Sequence, residues 1–244
     1  MFPDAVLAPL QSARRVAVLT GAGISAESGI PTFRDALTGL WARFRPEDLA
    51  TPEAFARDPA LVWRWYRERR QRLRTVEPNP GHRALVALEG RVPELTLITQ
   101  NVDGLHARAG SRGVVELHGN ITRVRCFAED TPVEEWPDTE AVPACPRCGA
   151  PLRPDVVWFG EMLPPAALER ARAAAGGCDV FLSVGTSNLV EPAASLPWLA
   201  SARGAPVLIV NPTADGQRAG PGIHPLLGKA GVVLPALLRE AWPE

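Results

Sequence analysis

Five short apolar runs constrain this chain more than any other feature: Val16–Thr20, Leu95–Thr99, Val114–Leu117, Val180–Gly185 and Val207–Asn211. Each runs straight into a glycine-containing or polar turn: Thr20-Gly21-Ala22-Gly23, Thr99-Gln100-Asn101-Val102-Asp103, His118-Gly119, Gly185-Thr186-Ser187-Asn188 and Asn211-Pro212-Thr213. A continuous apolar run bounded by such turns reads as a strand buried on both faces. Gly231–Leu234 reads as a sixth strand of the same kind. Helical patterns lie between many of the runs, among them His82–Leu88, Ala166–Ala175 and Pro197–Arg203. Strand and helix in alternation predict an α/β fold, a doubly wound Rossmann-like parallel sheet. Ligands of such sheets bind at the carboxyl ends of the strands, so the chemistry is expected in these turns.

Two stretches interrupt the alternation. Residues 31–75 carry helix signals and no strand; Thr51-Pro52 offers an N-cap with proline at the first helical position. Residues 120–155 are rich in proline, acidic residues and cysteine. Together they are expected to form a smaller domain from two insertions, one helical and one cysteine-containing. The Rossmann-like domain would then comprise 1–30, 76–119 and 156–244.

The 244 residues can bury a full core. A net charge of −1 gives no general reason to expect nucleic acid or a membrane as partner. No apolar run approaches the ~20 residues of a membrane helix, and no basic-then-apolar leader opens the chain. The expected location is the cytoplasm. Four cysteines, two of them in Cys145-Pro146-Arg147-Cys148, suit a reducing compartment and a metal site better than a disulfide scaffold.

Gly21-x-Gly23 after an apolar run looks like a turn that cradles a pyrophosphate at a helix N-terminus. A hydride-transfer enzyme also needs an acid about 20 residues on, at the end of a second strand. Here that region, Trp41 to Asp48, has acids but no strand, and Gly29-Ile30-Pro31 breaks the helix almost at once. That counts against a standard dehydrogenase. Gln100, Asn101 and Asp103 can bond ribose hydroxyls or an amide, although one of them is equally explained as a cap for a helix near Leu105. Of the four histidines, His118 is the one directly at a strand's end, where proton abstraction near neutral pH is in reach. His82 and His106 read as structural, and His224 as a loop residue.

In Leu61–Leu73, read as a helix, Val62, Tyr66, Arg69 and Leu73 share one face. Arg69 therefore interrupts an apolar stripe, beside the only tyrosine in the chain. Either its stem packs while its head reaches water, or Tyr66 and Arg69 face a pocket and hold a ligand carboxylate.

Gly21 to Asp35, Thr99-Gln-Asn-Val-Asp-Gly-Leu-His106, Glu116-Leu-His-Gly119, Pro154-x-Val-Val-Trp-Phe-Gly-Glu161 and Gly185-Thr-Ser187 resemble, in order, the motif set of the sirtuins. Those are NAD-consuming protein-lysine deacylases. The resemblance implies that the acyl-lysine carbonyl oxygen attacks the ribose carbon from which nicotinamide leaves. Gly21, Ala22, Gly23 and Glu27 would lie at the pyrophosphate, Phe33 would screen the reacting sugar, and Arg34 would lie in the flexible cofactor loop. Val102 and Asp103 would hold the nicotinamide carboxamide, and Gln100 and Asn101 a ribose and a water, with Asn101 and His118 catalytic. His118 would be the general base. Gly185, Thr186, Ser187, Asn211, Pro212, Thr213 and Ala230 would take the adenosine half. Val157, Trp158, Phe159 and Gly160 would pair with an acyl-lysine protein substrate as an added strand. Tyr-x-x-Arg, here Tyr66 and Arg69, resembles the sirtuins that remove succinyl and related acidic groups, with deacetylation as a second activity. Sirtuins also carry two Cys-x-x-Cys pairs for a structural zinc. Here the first is Cys126-Phe127-Ala128-Glu129, so Zn²⁺ would be held by Cys126, Cys145, Cys148 and a carboxylate, Glu129 or Asp130. A protein ADP-ribosyltransferase or a non-catalytic NAD sensor would use the same cofactor residues.

Overall fold

The computed structural model describes residues 1–31, 44–213 and 220–243. Six strands form one parallel sheet: β1 (Arg15–Thr20), β2 (Glu94–Thr99), β3 (Val115–Glu116), β7 (Val180–Val184), β8 (Val207–Asn211) and β9 (Ile223–Leu227). Their spatial order is β3-β2-β1-β7-β8-β9. The order reverses between β1 and β7, which places the binding crevice of a Rossmann-like sheet at the ends of those two strands. Along β1, Val16 and Val18 enter one apolar cluster and Ala17 and Leu19 the other, the period-two alternation of a strand covered on both faces. The first cluster is closed by α1 (Asp4–Ser12), α5 (Pro80–Glu89) and α9 (Ala230–Ala241). The second is closed by α7 (Pro165–Gly177) and α8 (Leu196–Ala202).

The sixth strand is not where the sequence pattern puts it. Gly231–Leu234 lies in α9, where Val233 and Leu234 face the core. A four-residue apolar run has no period of its own, and the helix that continues it decides the matter. The strand is instead Ile223–Leu227, which contains Pro225. Its position at the sheet edge is what tolerates a proline. His224 is thereby a strand residue, not a loop residue.

A second sheet, antiparallel, has the order β5-β4-β6, built from β4 (Gly119–Cys126), β5 (Pro132–Val133) and β6 (Leu152–Val156). Two helices pack on it: α3 (Pro52–Arg57) and α4 (Pro59–Leu73). Thr51 caps α3 by accepting from the Ala54 N–H at 3.1 Å, and Asp58 caps α4 through the Leu61 N–H at 2.9 Å. Leu49, Phe55, Val62, Trp65, Tyr66, Ile121, Val156 and Trp158 share one cluster, so both interrupting stretches of sequence contribute to a common core. No helix among the described residues is long and apolar enough to cross a membrane.

Candidate active site at the reversal of the sheet

Two turns touch where the strand order reverses. After β1 comes α2 (Ala22–Ala26), a single short helix. The Gly21 N–H donates to Val184 O (3.0 Å) and the Gly23 N–H to Gly185 O (2.8 Å). A Cβ on Gly23 would lie 2.7 Å from the Gly185 Cα; one on Gly185 would lie 2.4 Å from the Ile24 nitrogen. Gly185 also has φ +61°, which favours glycine. These glycines are therefore required by the approach of one turn to the other, before any ligand is considered. Glu27 lies just beyond α2, where its carboxylate accepts from the Gly231 N–H at the start of α9 (2.7 Å).

The turn after β2 is braced from both sides. Asn101 donates to Gly21 O (3.0 Å) and to Ser25 Oγ (3.1 Å). Ser25 donates to Asp103 Oδ2 at 2.7 Å. The other Asp103 oxygen accepts from the Leu105 N–H (2.9 Å), at the start of α6 (Leu105–Ala109). Asp103 thus caps a helix and anchors the turn at once. Burial raises its pKa, against these hydrogen bonds and the Arg69 charge. The Val102 carbonyl is taken by the Ile121 N–H. Gln100 donates to Thr186 Oγ1 (2.9 Å), and Asn211 donates to Thr186 O (3.0 Å), which ties the β2, β7 and β8 turns together. Ser187, Pro212 and Thr213 are exposed at the rim, and Ala230 is buried at the start of α9.

His118 sits between β3 and β4. Its Nδ1 lies 2.9 Å from Gln100 O. A carbonyl only accepts, so Nδ1 carries the proton and Nε2 keeps its lone pair. Burial lowers the His118 pKa below its ordinary 6.5, with the Gln100 carbonyl opposing. A neutral imidazole with a free Nε2 is a base at neutral pH. Its own carbonyl accepts from the Val157 N–H (2.9 Å), and the Phe159 N–H reaches Ala50 O (2.9 Å). Residues 157–160 have thus left the small sheet; Trp158 is buried and Phe159 exposed.

On α4, Val62, Tyr66 and Leu73 are buried, and Arg69 shares their face. The Arg69 guanidinium stands over the Trp65 ring at 4.8 Å. Trp65, Arg69, Leu73, Val102, Asp103 and Ile121 line one cavity. Tyr66 packs behind it against Trp158, and burial pushes its phenol up to about 12. The helix buries a second arginine more deeply. Arg70 lies between the Trp63 and Trp136 rings (4.4 and 4.9 Å) and pairs with Asp138 (3.2 Å).

Cys126, Glu129, Cys145 and Cys148 converge beyond β4, with ligand atoms all within 4.8 Å of one another. Cys126 Sγ and Cys148 Sγ are 3.5 Å apart, close to the ~3.8 Å between thiolates of a tetrahedral zinc site. N–H groups of Arg147 and Cys148 draw the Cys145 thiol down to about 7, which makes a thiolate available. The donor set fits a structural zinc. Glu129 is the carboxylate in place; Asp130 turns away to Arg125 (2.9 Å).

A Sir2 family model matches residues 21–192. An NAD-dependent protein deacylase of Pseudomonas aeruginosa is 55% identical over 98% of this chain and 99% of its own. One of Pyrobaculum aerophilum is 54% identical, covering 95% and 92%. A Sir2 homologue solved as an NAD complex superposes with a TM-score of 0.87 at 44% identity, covering 99% of this chain and 94% of the other. The chain belongs to the Sir2 family. A further Sir2 protein, solved with a myristoylated histone peptide, superposes at 0.76 with 36% identity over 97% and 94%.

Within this Sir2 fold the residues expected from sequence fall into three groups. Gly21, Ala22, Gly23, Gln100, Asn101, Val102, Asp103, His118, Gly185 and Thr186 line the ends of adjoining strands. Tyr66 and Arg69 lie under them. Phe33 and Arg34 lie outside the described residues. Two further residues of the site are not singled out by any sequence motif. Ser25, inside the glycine motif, joins Asn101 to Asp103 and approaches His82 Nε2 at 3.4 Å. Arg153, beside Pro154, is buried against Trp158 and Glu161. A serine next to Gly-x-Gly was a usable signal; an isolated arginine in a proline-rich stretch was not.

Proposed function

We propose that this chain is an NAD-dependent protein-lysine deacylase that prefers acidic acyl groups, succinyl and malonyl, and also removes acetyl. Residues 31–75 and 120–155 would form a small domain that presents the acyl pocket. Residues 1–30, 76–119 and 156–244 would form the Rossmann-like domain that holds NAD.

Bound NAD supplies an electrophilic ribose carbon with nicotinamide as leaving group. The chain's own residues do the rest. Gly21, Ala22 and Gly23 bring backbone and the start of α2 to the pyrophosphate. Asp103, braced by Ser25 and Leu105, receives the carboxamide with Val102. Gln100 and Asn101 position the ribose. His118 Nε2 takes a proton from a ribose hydroxyl, which then attacks the acyl carbon. Thr186, Ser187, Asn211, Pro212, Thr213 and Ala230 receive the adenosine half. Val157–Gly160 pair with the substrate backbone. The acyl-lysine carbonyl oxygen bonds to the ribose carbon as nicotinamide leaves. One water puts its oxygen on the acyl carbon as the lysine nitrogen departs. The products are free lysine, nicotinamide and O-acyl-ADP-ribose.

The observation that carries the acyl preference is the place of Arg69. It lines the same cavity as Val102 and Asp103, the residues assigned to nicotinamide, so a group bound there lies next to the reacting carbon. A cation stacked on Trp65 beside a phenol matches an acyl chain that ends in a carboxylate. The test is one peptide as succinyl- and acetyl-lysine, with kcat/KM compared. We expect a succinyl advantage that Arg69→Met reduces by about 100-fold or more, as expected for losing a charge-assisted pair. An advantage that survives Arg69→Met returns this arginine to a packing role.

A further inference from the structure

Tyr66 is the only tyrosine in the chain, and it is buried behind the cavity that Arg69 lines. It accepts a hydrogen bond from the indole N–H of Trp158 at 3.0 Å. Among the described residues the hydroxyl has no acceptor for its own proton. A buried phenol that receives but does not donate is half satisfied, and the missing partner is an acceptor.

Trp158 is itself held on three sides. Its main-chain N–H donates to Glu161 Oε2 at 2.7 Å. The same Glu161 carboxylate takes a bidentate pair from Arg153, one arm of it at 2.8 Å. The Arg153 guanidinium lies on the Trp158 ring at 3.5 Å and reaches Val156 O at 2.7 Å. Arg153 is only 4% exposed, so this clamp is part of the core, not a surface pair. The indole therefore has one orientation available, with its N–H on Tyr66.

We propose that Trp158 is a positioning residue for acyl selectivity: its indole N–H occupies the Tyr66 oxygen so that the phenol must donate its own proton, and the acceptor is the terminal carboxylate of the substrate acyl group. This rests on the acidic-acyl reading of the pocket. Glu161 and Arg153 act one step further out, by fixing the indole. The high phenol pKa keeps the donor proton in place at every working pH. An acetyl group has no oxygen at that depth, so the arrangement discriminates between acyl groups and not between peptides.

Trp158→Phe keeps the ring in the cluster and removes only the N–H. The readout is the ratio of succinyl to acetyl kcat/KM, which cancels any loss common to both substrates. We expect the ratio to fall about tenfold, the effect of about one hydrogen bond, with the change in the succinyl KM and not in kcat. A second readout needs no turnover. Protein labelled with [4-¹³C]tyrosine gives a single signal, that of Tyr66. It should move on adding succinyl-lysine peptide in the wild type, move little with acetyl-lysine peptide, and respond less in Trp158→Phe. A ratio unmoved in Trp158→Phe but collapsed in Arg69→Met overturns this inference and leaves the pocket reading standing. A wild type with no succinyl advantage overturns both.

Discussion

The turn cluster around Gly23 and the aromatic pocket under α4 meet at Asp103, yet they are built differently. In the turns, main chain meets main chain. Gly23 and Gly185 touch without side chains, and Asn101, Ser25 and Gln100 donate across short gaps between neighbouring strand ends. Around α4 the polar groups are buried among indoles and find partners far along the chain, Tyr66 with Trp158 and Arg70 with Asp138. The first plan fixes positions by exclusion of volume. The second fixes them by pairing, and leaves the Tyr66 hydroxyl proton without an acceptor among the described residues. A cofactor common to a family suits the first; an acyl group that varies between members suits the second.

The largest effect that can test this contrast is chemical. His118→Ala should lower kcat for every acyl substrate by about 10²–10⁴-fold, the range for a general base. Acetyl and succinyl turnover should fall together, unlike the response to Arg69→Met. The reactive form is the neutral imidazole, and burial lowers the His118 pKa. Activity should therefore be retained as pH falls through 6.5 and be lost only below it, in a pH–rate profile of kcat/KM. An acid limb centred above 6.5 would contradict the assignment.

Gly185→Ala tests the volume argument. The new Cβ meets the Ile24 nitrogen in a left-handed conformation, so strain and clash add. We expect a loss of about 3 kcal/mol or more in urea unfolding. Gly29→Ala is the control: φ is +83° but nothing lies within 4 Å of the Cβ, so about 1 kcal/mol should go. Equal losses would mean that backbone strain alone, not the approach of the turns, requires Gly185.

How far each region was legible in the sequence follows from the same difference. Strand ends are local, so Thr20-Gly21, Thr99–Asp103 and Gly185-Thr186 could be read as turns at the carboxyl edge of a parallel sheet. Five of its six strands could be read the same way. β9 could not, because Pro225 and His224 spoil its pattern and edge position is a property of the whole sheet. Tyr66 and Arg69 could be placed on one helix face by spacing. Trp158, 92 residues away, could not be placed on the Tyr66 oxygen, since no periodicity records a contact across two elements. The burial of Arg70 has no local signal either, because its partners, Trp136 and Asp138, come from another part of the chain.

The cysteine cluster carries a smaller effect. Glu129 also pairs with Arg147 at 2.9 Å, so its carboxylate would be shared between a bound metal and a guanidinium. Zinc should be present at about one per chain by elemental analysis, and chelation should lower Tm. Glu129→Cys should hold zinc more tightly against a competing chelator, by about tenfold or more, because a thiolate replaces a carboxylate that has another partner. Unchanged retention would mean that the three cysteines alone set the affinity.

The smallest effect separates the framework under the turns from their chemistry. The His82 and His106 rings meet at 4.9 Å, tilted by 57°, beneath the β1 and β2 ends. Burial holds the first down to about 4 and the second to about 3, the latter with help from its neighbour's charge. Both are neutral when folded, and both bind a proton near 6.5 when unfolded. The unfolded chain therefore takes up more protons below pH 6.5, and stability must fall as pH falls from there to about 4. Each contributes a slope of about 1.4 kcal/mol per pH unit at most. His106→Gln breaks the bond to Thr20 Oγ1 at 2.9 Å and should lower stability at every pH, yet reduce that slope by the share of one histidine. Urea titrations at pH 7, 6 and 5 would show it. A slope unchanged by the substitution would assign the acid sensitivity to other groups, and the histidine pair would be packing without an electrostatic role.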